Sequence, residues 1–144
     1  FVQSLGDRGE GLSSEIWWSP SHPFNSSLTG DSAKVLADGY TAASGRPWTQ
    51  PIGFKHALFE VVRDVVSRAA DLDDPMAIVD AIKTTNMSTI VGDVNWANGP
   101  VPNVSKTPLV AGQWQKSGGG LELLITNNAA APNIPLGGEF KLLS

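Results

Sequence analysis

The sequence predicts an α/β protein, on three observations. A central block carries apolar residues at helical spacing, most plainly in "QPIGFKHALFEVVRDVVSRAADLDDP". Short runs rich in β formers lie on either side of it. The overall balance, 41% apolar and 17% charged over 144 residues, is that of an ordinary globular chain of about one domain.

"LSSEIWWS" alternates loosely and reads as a strand, and "SPSHPFNSS", with Pro20 and Pro23, reads as a loop. "LTGDSAKVLADGYTAASG" reads as a helix that Thr29, Asp31 or Ser32 caps and Gly45 stops. Its apolar face is Leu36 and Tyr40, with Ala33 and Ala43 beside them. After the connector "RPWTQP", Phe54, Leu58, Val61, Val62, Val65 and Ala69 form one stripe through a long helix, of which Leu58, Val61, Val62 and Val65 are expected in a lobe core. Lys55, Glu60, Arg63, Asp64 and Arg68 take its polar side. Asp73 or Asp74 caps the next helix, Pro75 suits its first turn, and Met76, Val79 and Ile82 give its apolar face. "STIVGDVNW" then reads as a strand and "GPVPNVSKTP" as a loop. "LVAGQWQK" and "LELLITNN" read as two strands joined at "SGGG", and the tail as mostly irregular.

Composition removes several function classes. The net charge is −4 and no Lys/Arg cluster exists to neutralise a phosphate backbone, so nucleic acid is not an expected partner. With no cysteine there is no disulfide, thiolate catalysis or common structural zinc site. No apolar run is long enough to span a bilayer. The chain opens with Phe1 rather than Met, so its N-terminus is expected upstream.

Chemistry-bearing motifs are sparse. His56 is the natural acid–base candidate, but neither a G-x-S-x-G elbow nor H-E-x-x-H accompanies it, and His22 is distant in sequence. No catalytic residue and no metal ligand is therefore expected, nor any cofactor. "DLDD" lacks the glycine and terminal glutamate of a calcium loop and suits helix capping. "SGGG" lacks the Lys-Ser/Thr of a phosphate loop. Trp17, Trp18, Trp48, Trp96 and Trp114 are placed at strand ends or loops, where an aromatic can pack or stack on a ligand.

The segments "SHPFNSSLTGDSAKVLADGYTAASGRPWTQPIGFKHALFEVV", "AIVDAIKTT", "TIVGDVNW" and "NVSKTPLVAGQWQK", in this order, resemble the C-terminal portion of type I periplasmic substrate-binding proteins. The resembling branch is that of the leucine/isoleucine/valine-binding components of ABC importers. The resemblance implies part of a two-lobe, Venus-flytrap fold with the ligand closed between the lobes. It implies a division of this chain at residues 1–87, the hinge-crossing strand and final helices of the N-terminal lobe, and 88–144, the return crossing and strands of the other lobe. It implies a periplasmic, non-enzymatic solute-binding function, for an amino acid or small carboxylate. The expected partners are a branched-chain amino acid or aromatic carboxylate, the membrane permease, and the upstream part of the protein or a second copy. A ligand-sensing regulator built on the same fold is the alternative. By the resemblance Phe54, at the start of a helix, lines the pocket, and His56 lies within reach of the ligand or the opposite lobe. Trp18 joins them as the third expected ligand-binding residue. Where many amino-acid-binding relatives show a tyrosine-rich "Y-A" stretch, this chain has "HALFE".

Overall fold

The structure, a computed structural model, describes residues 2–142. A 3-10 helix, Val2–Gly9, precedes β1 (Ser13–Ile16). Helices α1 (Ala33–Ser44), α2 (Pro51–Arg68) and α3 (Pro75–Lys83) follow. Then come β2 (Asn86–Thr89), β3 (Gly92–Asn95), β4 (Val110–Ser117) and β5 (Gly120–Asn127). The described chain is thus mixed α/β, with both of its sheets antiparallel.

The chain forms two compact units. One combines the residues up to Trp17 with those from Leu109 onward; the other runs Trp18–Pro108. The division expected at residues 87 and 88 falls inside β2 instead. The reason is local: β2 pairs with β3, and that hairpin packs with the helices, so the chain leaves the helical unit only after Pro108.

The first unit is a three-stranded sheet in the order β1–β4–β5. β4 and β5 join through Gly118 and Gly119, both at positive φ, the two-residue turn whose twist suits a hairpin. Ile16, Val110, Ile125, Ala131 and Ile134 are buried in this unit. Two inward glutamines on β4 hold the irregular tail. Gln113 Nε2 donates to Gly11 O and Lys141 O, and its Oε1 accepts from Lys141 N and from Gln115 Nε2. Gln115 Nε2 also donates to Glu139 O at 2.6 Å. At Glu139 and Lys141 side-chain amides thus take the place of a strand ladder as partners of the tail's backbone.

In the helical unit the caps fall where the sequence puts them. Ser32 accepts from Val35 N at the start of α1, and Gly45, at φ 66°, ends it by donating to Thr41 O. Asp74 accepts from Met76 N at the start of α3. The burial pattern departs from expectation. On α2 the buried residues are Gly53, Ala57, Glu60 and Val65, whereas Leu58, Phe59, Val62 and Val66 face solvent. On α3 Ala81 is buried, and Met76, Val79 and Ile82 are exposed. The core cluster is Trp18, Ala33, Ala37, Ala57, Ile90 and Val91, with Leu36, Trp48, Ile52 and Phe54 packed against it. The fully buried helical residues of this cluster, Ala33, Ala37 and Ala57, are small, and Leu58, Val62 and Val66 of α2 are turned outward.

The expected single strand "STIVGDVNW" is a hairpin. Ile90 and Val91 form its turn, and Thr89 secures it by accepting from Val91 N and donating to Gly92 O. Both turn residues are core residues, at 0% and 2% exposure. Their apolar character disguises the turn in the sequence, because turns are ordinarily marked by polar residues and glycine.

Candidate functional site

The residues expected to meet a ligand all belong to the helical unit, around the first turns of α2. α2 starts at Pro51, whose fixed φ suits a first helical position; Gln50 before it makes no side-chain capping bond. One turn in, the Trp18 indole lies flat against Gly53. A Cβ at that position would overlap the indole, so only glycine allows this approach. Trp48 meets Trp18 edge to face, with ring centroids 6.1 Å apart at 81°.

Trp18 is therefore a buried wall, at 0% exposure, and not an open stacking platform. The ring fills the core with Ala33 and Ala37 of α1 and Ala57 of α2. Its indole N–H is buried and has no hydrogen-bond acceptor among the described residues. Phe54 is half-buried and packs against the same cluster. His56 is half-buried too and meets Ser26, whose Oγ lies 2.6 Å from Nε2. The structure thus brings Trp18 and Phe54 to one cluster and gives His56 a separate partner.

Four of the surface concavities among the described residues are lined by neither Trp18, Phe54 nor His56. One of about 990 Å³ surrounds the Gly118–Gly120 turn. Beside it Lys116 pairs with Asp7 and Glu10, which raises its pKa from the ordinary value, through side-chain hydrogen bonds first and charge attraction second. No group of three or more His, Cys, Asp or Glu that could hold a metal ion is present among the described residues.

Sequence reasoning missed Glu60. Its position among charged residues suggests a solvated face, yet it is 1% exposed. One carboxylate oxygen accepts from Ser27 N at 2.5 Å and Ser27 Oγ at 2.9 Å; the other accepts from Ile90 N at 3.0 Å. Three donors replace the water that this buried carboxylate loses. Glu60 thereby joins α2 to the loop before α1 and to the hairpin turn. The one sequence signal was its spacing: residues 53, 57 and 60 share a helix face, and the first two are small.

His22 was set aside as remote, and the structure buries it at 3% exposure. Its Nδ1 accepts from Ser19 N at 3.0 Å and lies 2.9 Å from Ser19 Oγ. Nε2, which must then carry the proton, has no partner among the described residues. Burial pushes its pKa down to about 4.

In comparisons with known proteins, no family model, no curated protein and no solved structure matches this chain.

Proposed function

We propose that this chain belongs to the solute-binding component of an ABC importer, acting in the periplasm on an amino acid or small carboxylate. One observation supports the reading beyond the sequence resemblance. The chain divides into two compact units and passes between them twice, at Trp17–Trp18 and at Pro108–Leu109. Paired crossings of this kind suit a hinge, because two strands of backbone restrict the motion to bending. Phe54 and His56, near the start of α2, are the proposed ligand contacts, and Trp18 supports them from behind. A ligand that binds the native state raises its apparent stability by mass action. The test is a thermal-shift series on the intact gene product with L-leucine, L-phenylalanine and benzoate. A concentration-dependent rise for at least one of them is expected, smaller in Phe54→Ala. No shift for any branched-chain amino acid or aromatic carboxylate would overturn the reading.

A further inference from the structure

We infer that Ser26 holds the His56 imidazole with its proton on Nδ1, so that this side chain offers a ligand a hydrogen-bond donor and selects an acceptor oxygen over an ammonium group. The selection rests on the ligand-binding reading above; the position of the proton does not.

A serine hydroxyl has two lone pairs and one hydrogen. The Ser26 Oγ accepts from Leu28 N at 3.1 Å and from Thr29 N at 3.2 Å, which engages both lone pairs. Its hydrogen is left for His56 Nε2, 2.6 Å away. Nε2 is then an acceptor, and the ring proton belongs on Nδ1. The hydroxyl has little freedom to turn elsewhere. Ser26 is 4% exposed, its N–H donates to Asp31 O at 2.8 Å, and its carbonyl accepts from Gly30 N at 2.9 Å. The next residue, Ser27, is held through its backbone N–H and hydroxyl by Glu60, one turn beyond His56 on α2.

Among the described residues nothing hydrogen-bonds His56 Nδ1, and Glu60 has its own three donors to serve. A half-buried N–H without a partner suits a carboxylate or carbonyl oxygen. It opposes an ammonium, which would bring donor against donor. Ser26 acts here as a positioning residue, since it sets the ring without touching a ligand.

His22 supplies an internal contrast, because its Nδ1 is the acceptor and its proton sits on Nε2. The chain has only these two histidines. Nitrogen-15 spectra of the imidazoles in the intact gene product therefore read both, at about pH 8, above the ordinary histidine pKa of about 6.5. The expected result is opposite tautomers, Nδ1–H for His56 and Nε2–H for His22. Ser26→Ala should move His56 toward Nε2–H, and Ser26→Thr, which keeps the hydroxyl, should restore Nδ1–H. An Nε2–H signature for His56 in the unsubstituted protein overturns the inference, whatever the variants do.

Benzoate, L-leucine and benzylamine are then added in turn. A shift of His56 Nδ1 with either carboxylate and none with benzylamine supports the selection; the reverse overturns it. Silence toward all three sinks the ligand-binding reading and the acceptor selection together, while the spectrum without additions still decides the tautomer.

Discussion

A methyl group at position 53 would run into the Trp18 indole, yet alanine favours helix over glycine by about 1 kcal/mol. Overpacking a core costs about 1–3 kcal/mol. Gly53→Ala is therefore expected to destabilise despite its better helix propensity. A urea midpoint equal to or above that of the parent would show that the indole can move aside. Glu60 allows a graded test. Glu60→Ala strands the N–H groups of Ser27 and Ile90, at about 1–3 kcal/mol for each donor left unsatisfied. Glu60→Gln keeps one acceptor oxygen and should fall between alanine and the parent in denaturant midpoint. His22 sets a pH dependence. Its folded pKa of about 4 lies below the ordinary 6.5, so on acidification the unfolded chain takes up the proton first. Stability should fall as pH drops from about 6.5 to about 4, by up to about 3 kcal/mol, and should not fall through this group above that window. His22→Asn retains an acceptor for Ser19 N and removes the titration. The difference between parent and variant midpoints should therefore change between about pH 7 and about pH 4.5; a constant difference would refute the assignment.

At the scale of the elements, what was legible in the sequence was what is decided locally. Ser32, Asp74, Pro75 and Gly45 act within a few residues of themselves, and each stands where a cap or first turn needs it. The three helices and the β4–β5 hairpin follow from the same kind of signal. What the sequence hid depends on partners far along the chain. Which face of α2 is inward depends on Trp18, which lies well before it, and the role of Glu60 depends on Ser27 and Ile90, some thirty residues to either side. Amphipathic periodicity marks where apolar residues gather, but it does not say whether this chain covers them. The candidate site was legible only in its residue names. Phe54 and His56 are near one another in sequence, but Ser26, which decides what His56 can donate, lies 30 residues away. The outward stripe makes a direct prediction. Val62 is 46% exposed, so Val62→Ala should change stability by less than about 0.5 kcal/mol, not by the amount a core valine would lose. A loss above about 1 kcal/mol would mean that the stripe is covered in solution.

Across the whole molecule, exposed Leu58, Phe59, Val62 and Val66 on α2 and Met76, Val79 and Ile82 on α3 give the helical unit extensive bare apolar surface. Such surface favours association. The 144-residue chain on its own should elute in gel filtration ahead of a 15.2 kDa monomer, and Leu58→Gln with Val62→Gln should move it toward the monomer. A parent that already elutes as a monomer would count against an uncovered face. The double passage between units has another consequence, in the order of events as the chain is made. Ile16 of β1 pairs with Val110 of β4, and the whole helical unit lies between them. β1 must wait, unpaired, while that unit is synthesised. Closing so long a loop in an open chain is slow, because loop entropy is lost before any contact compensates it. If the helical unit folds first and brings its own two ends together, their neighbours Ile16 and Val110 can pair without closing that loop afresh. The strands then meet almost as a local hairpin would. The helices would act as a template for a sheet to which they contribute no strand, and a slow-folding variant of the first unit is to be sought in the core of the second.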